Sequence, residues 1–146
     1  MVITIEIIDF VVMKTLIDQG NSIDILYWRT FQCLGFSKDI LKRKTTNRER
    51  VYVRGYVDLK TRFVGRTNSK TTKSHDLVVD VNISYNVLLE RPSLNALGAI
   101  MSTPHLAMKF LSEDGDMIIV YRDWKTAREC YMPSLKMQSK RVLWRN

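Results

Sequence analysis

Cysteine is nearly absent from this sequence. Its 146 residues hold two, Cys33 and Cys130, far apart and without the paired CxxC spacing of a metal or redox site. With His75 and His105 they make no recognisable zinc-ligand arrangement. Two buried, unlinked thiols are therefore expected, with no metal and no cofactor. Long hydrophobic runs are also missing. Glu6, Asp9 and Lys14 interrupt the apolar N-terminus, so no stretch approaches the roughly 18 to 20 residues that cross a bilayer. Residues 1–20 lack the basic start, continuous apolar stretch and small-residue cleavage site of a secretory leader, in that order. No membrane partner is expected, and the location expected from this is intracellular, in the cytoplasm.

Acidic charge is sparse too: 15 Asp and Glu stand against 23 Lys and Arg, for a net charge of +8. The excess is uneven. Residues 42–73 carry eleven basic and two acidic groups and residues 122–146 seven and two, whereas 1–41 and 74–121 are net acidic. Such a block can touch nucleic-acid phosphates. It has neither the regularly interleaved aromatics of a single-strand platform nor a recognition helix or zinc finger. Nucleic acid is thus at most a weak partner, and solvated strand faces explain the charge equally well.

What is present reads as one mostly-β domain. Residues 2–8 and 11–17 are short runs rich in β-branched side chains and predict a hairpin. Residues 23–26 predict a buried strand, and 27–34 a short helix ended by Gly35. The polar stretch 42–50 reads as a loop or hairpin tip. Val51, Val53, Val57 and Leu59 alternate with polar neighbours as in a half-buried strand, and residues 61–64 are expected to pair back against it. Strands follow at 77–81 and 85–89, with Asn82 and Ser84 turning between them. A helix at 93–97 is opened by Pro92 and ended by Gly98. Residues 105–110 and 117–121 predict a hairpin around Asp114-Gly115. Trp124, Ala127, Tyr131 and Leu135 recur at helical spacing, with Asp123 available as N-cap and Pro133 as the stop. Residues 139–146 look like a poorly packed end. There is no internal repeat.

One element suggests chemistry. In Thr15-Leu16-Ile17-Asp18-Gln19-Gly20 an apolar strand delivers a carboxyl group into a glycine turn. Alone it is an ordinary turn former. About 70 residues on, a second apolar strand, Tyr85-Asn86-Val87-Leu88-Leu89, passes through Glu90 and Arg91 into Pro92-Ser93-Leu94. Together with Ser22-Ile23-Asp24-Ile25-Leu26-Tyr27, Val53-Arg54-Gly55-Tyr56, Arg91 to Ala99, Ser102 to Phe110 and Ala127-Arg128-Glu129-Cys130-Tyr131, these blocks make the chain resemble a retropepsin-like aspartic protease. The resemblance is to the protease region of plant Ty3/gypsy-type retrotransposon Gag-Pol polyproteins, and it runs from about Thr15 to Leu135.

The resemblance implies a closed, single-lobe β-barrel with one or two short helices over residues 1–122, and a helical tail over 123–146 leading toward a reverse transcriptase. It implies a polyprotein-processing endopeptidase that works as a homodimer, because the chain offers one such aspartate: Asp18 of each copy would supply half of the dyad. A polypeptide substrate would lie extended beneath a flap at 42–53, with Thr45, Thr46 and Asn47 at its tip. Gln19, Gly20 and Asn21 would form the active-site turn, and Arg91 would tie the helix to it with Asp24 as acidic partner. Retroelement particles join the cytoplasm as the implied location. A reverse transcriptase or integrase is not indicated, since their acidic metal clusters are absent.

Four departures stand out. Gln19 occupies the place of a family Thr or Ser, and Asn21 that of an Ala or Ser. Glu90 replaces a glycine packed behind the turn, where a carboxylate without a partner costs several kcal/mol. The flap has no glycine, none occurring between Gly35 and Gly55. These departures imply weakened or lost proteolysis. The alternative is a non-catalytic remnant or dimerising module that keeps the fold and touches nucleic acid weakly through its basic flap.

Overall fold

The computed structural model describes residues 1–42 and 52–123, and residues 142–143 through their backbone. The expected flap tip, Thr45, Thr46 and Asn47, lies outside these residues. So do Cys130 and the helix expected after Asp123.

Strands β1 (Val2–Ile7) and β2 (Phe10–Ile17) form the expected antiparallel hairpin. Ile3, Ile5, Ile7 and Val12 are almost wholly buried, each worth about 1.5–3 kcal/mol of apolar burial. A register shift between Ile3 and Ile5 lies opposite Lys14, whose φ of 55° marks the bulge in β2. Buried Asn86 holds that bulge: its backbone N donates to Lys14 O at 2.9 Å and its Nδ2 to Met13 O at 2.7 Å. Strand β3 (Asp24–Tyr27) leads directly into helix α1 (Trp28–Cys33). Thr30, Phe31 and Leu34 face the core. Cys33, on the opposite face, is exposed and unlinked, which corrects the expectation of a buried thiol.

Strand β4 (Val53–Val64) is a single twelve-residue strand. Residues 61–64 continue it instead of pairing back, because Val57, Leu59, Thr61 and Phe63 keep one inward phase and no turn former intervenes before Gly65. The partner is β5 (Ser69–Val79), antiparallel along the whole length of β4. A bulge between Val53 and Gly55 lets Lys42 and Tyr56 exchange both backbone hydrogen bonds at 2.8 Å. Gly55 is required there: its φ is 138°, and a Cβ would stand 2.6 Å from Lys42 O.

Strand β6 (Val87–Leu89) does not pair with β5. β3 inserts between them, parallel to β5 and antiparallel to β6, so Asn82 and Ser84 lie on a crossover and not in a hairpin turn. β6 runs parallel to β2, and β1 pairs with both β2 and β4. The ring β1-β4-β5-β3-β6-β2 is thereby closed, a six-stranded barrel without a free edge along that circuit.

Helix α2 (Arg91–Leu97) ends at Gly98 with φ 66°. A second, three-stranded sheet follows: β7 (Ile100–Ser102), β8 (Ala107–Leu111) and β9 (Met117–Tyr121). Residues 103–106 are turn, so His105 precedes the hairpin strand in which it was expected. Met108, Phe110, Ile118 and Val120 pack this sheet onto the barrel, with Phe110 edge-on to Phe63 at 6.1 Å. Asp123 then returns to β1. Its backbone N donates to Val2 O at 2.7 Å and its carboxyl accepts from Thr4 Oγ1, while the helix it was expected to cap lies outside the described residues. Strand β10 (Val142–Leu143) pairs in parallel with Val11 and Val12 of β2. The segment 139–146, expected to be poorly packed, thus contributes a short strand.

Candidate active site

Asp18 stands where β2 leaves the barrel. Its backbone N donates to Leu89 O at 2.9 Å, which extends the parallel β2–β6 pairing by one bond and fixes the start of the turn. The side chain is exposed, and Oδ1 accepts from Gly20 N at 2.9 Å. The turn is close-packed: a Cβ on Gly20 would sit 3.1 Å from the same oxygen, so a larger residue there would press the Asp18 side chain aside by a few tenths of an ångström. Gln19, Gly20 and Asn21 are exposed beside it. Gln19 also lines a cleft of about 540 Å³ with Met1, Ile17, Met101, Ser102, Thr103 and Leu106.

Behind the turn the structure corrects two expectations. Glu90, wholly buried, is not without a partner. Asn21 N donates to its Oε2 at 3.0 Å and Asn21 Nδ2 to its Oε1 at 3.1 Å. The two residues that depart from the resembled pattern on either side of the turn therefore meet each other. Arg91 does not pair with Asp24. Its Nε and backbone N both donate to Asn21 O, at 3.2 and 3.3 Å, so it still ties the helix to the turn, through a carbonyl instead of a carboxylate. Asp24 serves the start of α2: Oδ1 accepts from Glu90 N at 2.7 Å and Oδ2 from Ser93 Oγ at 2.8 Å. An acidic group at a helix N-terminus is where the orphan donors and the positive end of the peptide dipoles favour it. Burial raises the Asp24 pKa, opposed by the bonds from Glu90 N and Ser93.

Sequence reasoning missed Asp76. It lies directly across from Asp24 in the β3–β5 pair and is 1% exposed. Its Oδ1 has no hydrogen-bond partner. Burial first, then the nearby charge of Asp24, pushes its pKa up to about 7 against the help of Ser74. The signal was its phase: Thr72, Ser74 and Asp76 alternate inward along β5.

A second polar constellation lies on the outer face of β4 and β5. Asp58 accepts from Lys42 Nζ and faces His75 Nδ1, each at 2.6 Å, while Tyr56 stacks on the His75 ring at 4.8 Å. The Lys42 bond, then the His75 bond, lowers the Asp58 pKa to about 2. A depression of about 410 Å³ borders it, lined by Asp58, Leu59, Lys60, Lys73, Ser74 and His75. The Lys42, Asp58 and His75 side chains are more than half exposed, and no hydroxyl is aligned with the histidine among the described contacts, so the group has an acid-base pair without a nucleophile. Among the described residues no cluster of three His, Cys, Asp or Glu side chains is arranged to hold a metal ion, and no helix is long and apolar enough to cross a membrane.

No protein-family model and no curated protein matches the chain. Among solved structures it is similar to the retroviral protease-like domain of Ddi1 from Leishmania major, with a TM-score of 0.63 over 82% of this chain and 92% of that one, at 13% identity. A retropepsin-like aspartic protease from Rickettsia conorii aligns with a TM-score of 0.49 over 82% of this chain and 81% of that one, at 21% identity. The class defined by the closed barrel, the two short helices and the first of these likenesses is the retropepsin-like fold.

Proposed function

We propose that this chain is an aspartic-type endopeptidase domain that acts as a homodimer, with Asp18 of each copy as the catalytic carboxyl group. The observation that carries the reading is the position of Asp18: exposed, at the end of an apolar strand, in a turn gripped from behind by Leu89, Glu90 and Arg91. In aspartic proteases two carboxyl groups about 3 Å apart cannot both ionise and share one proton. One then polarises the scissile carbonyl while the other takes a proton from the attacking water. Among the described residues Asp18 is the only carboxyl group in such a turn, so the second must come from another copy. The cleft beside Gln19 supports the same reading, because a two-fold axis at Asp18 brings that surface against its counterpart.

A polypeptide lying extended across the two Asp18 turns is the substrate, bound largely through its main chain. Plant Ty3/gypsy-type polyproteins are the proposed origin, with residues 1–122 as protease and 123–146 as the connection toward a reverse transcriptase. The bonds that Glu90 makes remove one of the reasons for expecting a dead enzyme. Cleavage of a polyprotein-derived fluorogenic peptide at pH 4 to 7 tests the proposal. The parent should cut, and Asp18→Asn should lose at least about 10³-fold in kcat, as expected when a reacting group is removed. Equal rates for the two would refute it.

A further inference from the structure

Three consecutive residues hold both ends of the Asp18 turn. Leu89 O receives Asp18 N. The Glu90 carboxyl receives Asn21 N and Nδ2. Arg91 N and Nε donate to Asn21 O. The backbone N, the backbone O and the side-chain amide nitrogen of Asn21 are thus all committed to residues 90 and 91. Glu90 is held in turn, because its own N is bound by Asp24 Oδ1, whose other oxygen is bound by Ser93 Oγ.

Without the Glu90 carboxyl, Asn21 N and Nδ2 would both lose their acceptor behind the turn, and Arg91 alone would retain the far end. A two-pronged acceptor also fixes an angle, as a single bond does not. Asn21 and Glu90 depart from the family pattern as a matched pair, each filling the other's hydrogen-bonding need.

We propose that Glu90 is a positioning residue for Asp18, acting through Asn21, and that the two residues function as one unit. The proposal rests on the reading of Asp18 as the catalytic group. An ångström of misplacement at a reacting group costs on the order of a hundredfold in rate, so loosening the turn should be read in kcat. Glu90→Gly removes both acceptors, whereas Glu90→Gln keeps the shape and can keep both bonds once the exposed Asn21 amide turns over to offer its Oδ1.

The experiment compares the full chain with Glu90→Gln, Glu90→Gly, Asn21→Ala and the double variant Asn21→Ala/Glu90→Gly. Peptide cleavage is read per folded dimer, and amide hydrogen exchange is read at Gly20 and Asn21. Glu90→Gly is expected to lower kcat about tenfold to hundredfold with KM within about twofold of the parent, and Glu90→Gln to stay near the parent. The double variant should be about as active as Glu90→Gly alone. Protection should fall at Asn21 N, and at Gly20 N, which is bonded to Asp18 Oδ1.

Unchanged kcat in Glu90→Gly, or single effects that merely multiply in the double variant, would overturn the proposal. A parent that fails to cleave while Glu90→Gly loses protection confined to residues 19–21 would sink the protease reading and leave the clamp on the turn standing. Unchanged exchange would remove the clamp whatever the activity.

Discussion

Two polar clusters in this molecule use the same residue type to opposite effect. Behind the Asp18 turn, Asp24, Asp76 and Glu90 are almost fully buried; Asp24 and Glu90 find backbone N–H groups, a hydroxyl and an amide as partners while Asp76 leaves one oxygen unbonded, and no cation touches any of the three carboxyl groups among the described ion pairs. On the outer face of β4 and β5, Asp58 stands in solvent between Lys42 and His75. Burial drives the pKa of Asp76 up to about 7 and that of Asp24 in the same direction, while the hydrogen bonds from Lys42 and His75 take Asp58 down to about 2. Desolvation opposes charge where no counter-charge is near, and direct ion pairing favours it where water remains. The inner cluster is therefore where the fold is vulnerable, although the outer one contains the more conspicuous ion pairs.

The comparison is sharpest at Asp24. Asp24→Ala removes the acceptor for both Glu90 N and Ser93 Oγ at the start of α2, and should cost about 2–4 kcal/mol of unfolding free energy, measured by urea denaturation. A loss no greater than that of an ordinary surface substitution would break it.

Asp76 gives a pH signature of comparable size. Its folded-state pKa lies above the ordinary aspartate value, so its contribution to stability is complete below about pH 4 and is lost as pH rises through about 7. The parent should therefore lose up to about 3–4 kcal/mol of stability from this group across that interval. Asp76→Asn should flatten this part of the profile and exceed the parent above pH 7. Melting temperatures between pH 4 and 8 decide it, and parallel profiles for the two proteins would contradict the assignment.

The smallest effect belongs to the outer cluster. Asp58 has a lowered pKa, so its contribution is present above the ordinary aspartate value and is lost as pH falls through about 2. Exposed pairs of this kind stabilise little. Asp58→Asn should leave the urea midpoint at neutral pH unchanged, and a clear shift would mean that the ladder on β4 and β5 supports the fold after all.

The hairpin of β1 and β2, the Asp18 turn, the β6–α2 passage and the β8–β9 hairpin were legible because each joins an apolar run to a turn signal. The first half of β5 was not, since Ser69 to Asp76 offers no apolar residue to mark its inward phase, and Thr72, Ser74 and Asp76 fill that phase instead. The pairings of β6 with β2 and of β3 with β5 were hidden for a different reason: parallel neighbours are joined by long connections, which leave no short-range sign of who lies beside whom. At the site, Asp18 could be found by its position in the pattern. The partnership of Asn21 with Glu90 could not, because residues 69 positions apart meet only when β6 is laid beside β2. Read one at a time, each looked like a departure from the pattern the sequence resembles; together they satisfy one another.

The most direct test of the central claim is peptide cleavage by the parent and by Asp18→Asn over a range of protein concentrations. A homodimeric site predicts a rate that rises with the square of concentration while monomer predominates, and an Asp18→Asn protein inactive at every concentration. Cleavage that persists in Asp18→Asn, or that scales linearly from the most dilute monomer, would contradict it.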